Sequence, residues 1–317
     1  YESELEQVVL AQGITTLDQY RTARRTGRGV ILSRAKRDAV WPVFEEYRGQ
    51  LASRKLKEVD DAYREVAEVL GSEAEKSKPL YSAIVADETQ DLGPQALRLL
   101  RALVPAGPND LFFVGDGHQR IYSRNKAAMS RCGIDIRGRA KKLYLNYRTT
   151  DEIRRQAVAL LEGCEIDDLD DGHDETKRYK SLSHGPAPTV LNVEGIEAAA
   201  KHAIEFVRQW NTALDDGVPL SFCVIASSEK SRDAIAGLIQ AAGLRCVAIT
   251  AQSNHADARD VVHLATMHRA KGLEFDCVMV VAPKSYLGVA EETETQRKLL
   301  YVALTRAKRG AMLLTLG

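Results

Sequence analysis

YSAIVADETQD, Tyr81–Asp91, is the stretch on which the fold turns. A mostly apolar run of strand type ends in two adjacent carboxylates, Asp87 and Glu88, and Asp91 follows three residues on. A continuous apolar strand suits a parallel sheet buried on both faces. Carboxylates at its tip are costly unless something cationic stands opposite them. Beyond it, LGPQALRLLRALV (92–104) predicts an amphipathic helix with Pro94 in its first turn. LFFVGD (111–116) predicts a second buried strand ending in Gly-Asp. This strand–helix–strand order puts Asp87 and Asp116 at the carboxyl edge of a parallel sheet, where open α/β sheets bind ligands.

Working outward, residues 1–78 read as a charged helical subdomain. In SRAKRDAVWPVFEEYRGQL, Trp41, Phe44, Tyr47 and Leu51 fall on roughly one helix face, with Pro42 marking a helix start or a kink. EVDDAYREVAEVL repeats the pattern with Val59, Tyr63, Val66 and Leu70. Residues 79–145 carry the first α/β element, and 146–317 a second α/β series. In that series TVLNVE, SFCVIA, RCVAIT, VVHLAT, DCVMVVA and AMLLTL predict strands, while DDLDDGHDETKRYKSLSHGPAP predicts an exposed charged loop. The chain has 317 residues, with 44 Lys plus Arg against 44 Asp plus Glu, so net charge makes no case for nucleic-acid binding and local clusters must carry it. No apolar run approaches a membrane span, and the opening YESELEQVVL is no signal peptide. Five scattered cysteines without a CxxC pair predict reduced thiols in a cytoplasmic protein.

Several short constellations carry possible chemistry. Asp87 can hold Mg²⁺ directly or through water, with Glu88 deprotonating a water that attacks a phosphate; equally, Asp91 can cap the following helix. In VGDGHQRIY (114–122), Gln119 suits the sensing of a terminal phosphate and Tyr122 offers a flat face to a base, or the whole is a polar turn. In LYLNYRTTDEI, the forked donors of Arg148 can reach a phosphate and Tyr147 can stack on a purine; a structural salt bridge is the plainer use of Arg148. ATMHRAKGLEFD places His268, Arg269 and Lys271 in a basic loop that ends in Glu274. In LLYVALTRAKR, Arg306 is either an arginine finger or a complement to a helix C-terminus, with Leu300, Ala303, Leu304 and Ala307 facing the core.

In their order, DETQD, GDGHQRIY, LNYRTTDEI, ATMHRAKGLEFD and LLYVALTRAKR resemble motifs II to VI of the UvrD/Rep/PcrA-like superfamily 1 DNA helicases, over residues 81–317. The resemblance implies two RecA-like parallel-sheet motor domains, the first incomplete, that use ATP and Mg²⁺ to move on single-stranded DNA or at duplex/single-strand junctions, 3′ to 5′. It implies Asp87 as the Mg²⁺-associated carboxylate, Glu88 as the base and Gln119 as the link to the γ-phosphate. It further implies Tyr147 stacked on adenine, Arg148 and Arg306 as the arginines that reach the γ-phosphate from the second motor domain, and Glu274 on the ribose. Tyr122, Thr266 and His268 match positions that touch single-stranded DNA or couple it to ATP.

Three departures stand out. A P-loop motor needs G-x-x-x-x-G-K-[ST], and the chain contains no Gly-Lys pair. It therefore reads as the C-terminal part of a longer protein whose N-terminal segment carries that loop, and alone it is expected to be nearly inactive. The interval between LNYRTT and VVHLATMH leaves no room for a large second accessory domain. Arg124 stands where the family carries a DNA-stacking aromatic, and RNKAAMSRCGIDIRGRAKK supplies a basic segment instead. Two other readings remain. One is a non-catalytic DNA-binding or regulatory module that kept the fold; the other is a metal-dependent phosphohydrolase using Asp87, Glu88 and Asp116, which leaves Tyr147 and Arg306 without roles.

Overall fold

The computed structural model describes residues 1–25, 31–72, 80–121, 128–164, 166, 169, 179–212, 219–252, 261–288 and 293–317. They fall into two compact units, Tyr1–Ala140 with Asp167–Asp174, and Lys141–Ile166 with Glu175–Gly317. Each is described by itself.

The first unit opens with helices Glu2–Glu4 and Leu17–Thr22 on either side of a π-helical stretch, Leu5–Leu10, followed by Arg34–Ser53 and Val59–Leu70. Thr16 starts the second helix with a capping box: its side chain accepts from Gln19 N–H while the Gln19 side chain accepts from the Thr16 backbone. Tyr20, Trp41 and Phe44 meet at ring-centroid distances of 5.6, 5.7 and 6.3 Å and centre a small core with Val8, Val9 and Leu10. Pro42 lies inside the long helix and does not start it.

The helix Val59–Leu70 corrects an expectation. Val59, Tyr63 and Val66 face outward, and the buried residue is Asp61. Asp61 takes a two-pronged bond from Arg48, Nε to Oδ2 and Nη2 to Oδ1, both 2.9 Å. A buried carboxylate needs such a partner, and this pair turns the polar side of the helix inward.

The first unit's strands, β1 (Ile84–Ala86) and β2 (Leu111–Phe113), pair in parallel with Val85 opposite Phe112. They are shorter than the apolar runs suggested. They are also not buried on both faces: Val85 is 76% and Phe112 63% exposed. Among the described residues no third strand joins their edges, and none covers the face on which Val85 and Phe112 lie side by side. The connecting helix, Pro94–Ala102, begins with proline as expected, but its N-cap is Gly93 and not Asp91.

In the second unit β3 (Leu145–Thr150) pairs in parallel with β4 (Lys180–Ser183), a strand lying inside the stretch expected to be loop. A six-stranded sheet follows, made of β5 (Thr189–Val193), β6 (Phe222–Ala226), β7 (Cys246–Ala248), β8 (Val262–Thr266), β9 (Phe275–Pro283) and β10 (Ala307–Leu316). Its order is β5-β10-β9-β6-β8-β7, parallel throughout. Helices Ile196–Thr212 and Glu229–Ala241 supply Ala203, Val207, Ile235 and Ile239 to the core formed with Val224, Leu264, Met279 and Leu314. Leu300, Ala303 and Leu304 are fully buried on the helix Glu294–Leu304, as their spacing required, but that helix stops before Arg306, and Ala307, also fully buried, is the first residue of β10. No helix among the described residues is long and apolar enough to cross a membrane.

Candidate functional site

In the first unit, β1 ends where DETQD begins. Glu88 adopts the left-handed conformation (φ 52°, ψ 37°), which costs a non-glycine residue about 1–2 kcal/mol. Its backbone N–H donates to Asp87 Oδ1 at 2.7 Å. Both carboxylates are exposed, and the chain then makes a single 3₁₀ turn, Thr89–Asp91.

That turn is fastened to the end of β2. Thr89 N–H and Oγ1–H both donate to Val114 O, at 3.0 and 2.9 Å. Gln90 Oε1 accepts from Asp116 N–H at 2.9 Å, and Gln90 Nε2 donates to Glu88 Oε2. Asp116 in turn accepts from His118 N–H at 3.0 Å and from Gln119 Nε2 at 2.9 Å, with the His118 ring 3.0 Å from Oδ1. Burial pushes the Asp116 carboxyl up, but the His118 ring and the Gln119 amide outweigh it and hold it below the ordinary value. The structure thus brings Glu88, Asp116 and Gln119 into one hydrogen-bonded set at the carboxyl ends of two adjacent strands.

Gly115 makes the docking possible. A Cβ there would lie 2.5 Å from Thr89 Oγ1 and 2.9 Å from Gln90 Oε1. Gly115→Ala is therefore expected to destabilise the first unit by about 1–3 kcal/mol, read as a loss of Tm followed by Trp41 emission.

In the second unit, Tyr147 on β3 is 73% exposed, a free aromatic face. Arg148 Nε sits 2.6 Å from Glu274 Oε1, and Lys308 Nζ 2.9 Å from Glu274 Oε2. The backbones of Glu274 and Arg306 are adjacent, because Phe275 N–H donates to Arg306 O at 3.0 Å. Arg306 itself is 1% exposed; its Nε donates to Val302 O at 2.9 Å and its Nη2 to Thr305 Oγ1 at 3.3 Å. In this pose it serves the end of the helix Glu294–Leu304. Thr266 closes β8, and His268 lies exposed in the short helix Met267–Ala270. Partial burial, then Lys271, lowers the affinity of the His268 ring for a proton.

Burial raises the Glu274 carboxyl, but Lys308, Arg148 and Arg306 together hold it below the ordinary 4.5. A carboxyl depressed on folding adds stability above its unfolded value and loses it as pH falls through the folded one. The part of the second unit's stability that Glu274 contributes, followed by Trp210 emission, is expected to be lost as pH falls below about 4.5, and Glu274→Gln should remove that part of the pH dependence.

Among the described residues no three His, Cys, Asp or Glu side chains converge as a metal cage. Asp87, exposed at the end of β1, could supply one contact to a Mg²⁺ held together with substrate phosphates. Tyr122 and Arg124 lie outside the described residues. Of the basic segment that follows, Arg137 pairs with Asp135 at 2.9 Å and Arg139 donates to the Asp135 carbonyl at 2.7 Å, so part of its charge folds back on itself. Gln90 is the site residue that the motif reading passed over; its only sequence signal was an amide beside two carboxylates.

Residues 14–132 match the UvrD/REP helicase N-terminal domain, and residues 262–314 the UvrD-like helicase C-terminal domain. A probable DNA helicase from Mycoplasma pneumoniae is 24% identical over 292 residues, which cover 86% of this chain and 51% of that protein. The chain thus spans about half the length of the curated relative it matches. The C-terminal domain of a possible DNA helicase from Lactobacillus plantarum aligns with 54% of this chain and 88% of its own, at 22% identity and a TM-score of 0.40.

Proposed function

We propose, for a chain of the UvrD-like helicase family, that it is the larger part of the catalytic machinery of an ATP-dependent DNA translocase moving 3′ to 5′ on single-stranded DNA. The observation that carries this reading is the grouping of Glu88, Asp116 and Gln119 at the carboxyl ends of β1 and β2, joined by hydrogen bonds. Glu88 takes a proton from water as the water oxygen bonds to the γ-phosphorus; the bond from phosphorus to the bridging oxygen breaks, leaving ADP and phosphate. Asp87 would hold Mg²⁺, which when bound would offset the phosphate charge. Gln119 reports the presence of the γ-phosphate. From the second unit, Tyr147 stacks on adenine, Arg148 and Arg306 stabilise charge on the transferring group, and Glu274 serves the ribose. Its present bonds to Arg148 and Lys308 must then loosen when nucleotide binds. Thr266, His268 and Tyr122 pass the state of the nucleotide to DNA.

The 317 residues hold no Gly-Lys pair, and this reading requires a phosphate loop supplied by polypeptide outside them. These residues alone hydrolyse ATP poorly. The test is strand displacement by the full-length protein from duplexes with a 3′ or a 5′ single-stranded tail. ATP-dependent displacement from the 3′-tailed duplex is expected. Salt-sensitive binding that ignores ATP and displaces nothing would instead favour a DNA-binding regulatory module.

A further inference from the structure

We infer that Gln90 is a positioning residue for the Glu88 base: its amide fixes the carboxylate and ties it to the loop that carries Gln119. This rests on the reading of Glu88 as the base, but the bonds that motivate it do not.

Gln90 is 0% exposed, and both ends of its amide are used. A backbone N–H can only donate, so Asp116 requires the amide oxygen; an ionised carboxylate can only accept, so Glu88 requires the amide nitrogen. The orientation of the amide is therefore forced. Among side chains of this length only glutamine meets both demands: glutamate lacks the donor, lysine and arginine lack the acceptor, and methionine lacks both. Removing either bond leaves a buried polar group unsatisfied.

The surroundings leave the amide little freedom. Thr89, one residue before, is anchored twice to Val114 O, and the bare Gly115 lets the peptide of β2 approach Gln90 Oε1. Glu88 itself is held in the left-handed region, where a side chain is aimed by backbone geometry and not by a regular strand. The path Glu88–Gln90–Asp116–Gln119 is continuous through hydrogen bonds. A shift of the Gly117–Gln119 turn therefore moves the Asp116 N–H and, through Gln90, the carboxylate that takes the proton. The base is aimed only when that turn is in place.

Two variants separate aiming from folding. Gln90→Glu keeps the acceptor for Asp116 N–H and loses the donor to Glu88. Gln90→Met loses both. In the 317-residue chain, amide hydrogen exchange at Asp116 should stay at the wild-type rate in Gln90→Glu and quicken about tenfold or more in Gln90→Met, as expected when a buried N–H loses its acceptor. In the full-length protein, Gln90→Glu should lower kcat for ATP about tenfold or more, a share of the 10²–10⁴ that a positioned base supplies, with KM within about twofold. Added to Glu88→Gln, it should lower kcat no further, because it acts only through that carboxylate.

Wild-type exchange at Asp116 in Gln90→Met overturns the inference whatever the turnover. So does wild-type kcat in Gln90→Glu alongside an inactive Glu88→Gln. If Glu88→Gln itself keeps full turnover, the reading of Glu88 as the base fails, and the exchange result still decides whether Gln90 fastens the two loops.

Discussion

Glu88→Gln in the full-length protein is expected to reduce ATP turnover by about 10²–10⁴-fold, the usual worth of a general base. Binding of nucleotide and of single-stranded DNA should change little. The substitution removes a proton acceptor but keeps an oxygen that can receive the Gln90 amide bond. Glu88 is exposed and contributes nothing to either core, so folding stability should stay within about 0.5 kcal/mol. A variant that binds both ligands, is fully folded and does not turn over isolates the chemical step. Asp87→Asn should differ from it, weakening the metal-nucleotide complex itself, because Asp87 is assigned a binding contact and not a proton transfer.

Arg306 is the second position of large effect, since one side chain is asked to do two things. It is among the largest fully buried side chains, and it donates to Val302 O and Thr305 Oγ1. Arg306→Ala leaves a cavity and removes two hydrogen bonds, although Val302 O keeps the one from Thr305 Oγ1, and should cost the second unit about 2–5 kcal/mol. For a unit of this size that is about 2–4 °C of Tm for each kcal/mol. Arg306→Met keeps most of the packing of the stem and should cost about 1–3 kcal/mol, from the two hydrogen bonds lost. The chain's two tryptophans make the measurement selective, because Trp210 lies in the second unit and Trp41 in the first. If Arg306 also stabilises the transferring phosphoryl group, folded Arg306→Met should lose about 10³–10⁵ in turnover, as other arginine fingers do. Folded Arg306→Met with wild-type turnover would leave the arginine a purely structural role at the helix end.

Much of this was legible in the sequence, for physical reasons that differ from element to element. In the six-stranded sheet β6, β8 and β9 were readable because each is an apolar run bounded by turn residues and is buried almost throughout, and a parallel strand covered on both faces must be apolar. Motif order singled out Glu88 and Gln119, and the structure brings them into one hydrogen-bonded set with Asp116. Periodicity correctly found an apolar face on Val59–Leu70, but it cannot say which side of a helix turns inward. Arg48 decides that through its bonds to Asp61, across a loop. The KSLS strand was hidden because its neighbours are charged and, among the described residues, it pairs only with β3. β1 and β2 looked doubly buried because their composition is; within this chain Val85 and Phe112 remain uncovered. The Arg148–Glu274 pair and the part played by Gln90 depend on backbone approach, at Gly115 for example, which residue spacing does not encode.

The central claim is that these residues belong to a DNA-driven ATPase, and the measurement that tests it most directly is ATP turnover with and without single-stranded DNA. The full-length protein should hydrolyse ATP many times faster when single-stranded DNA is present, and the 317 residues alone should show almost no turnover in either condition. A full-length protein that binds single-stranded DNA yet hydrolyses ATP no faster in its presence would contradict the account.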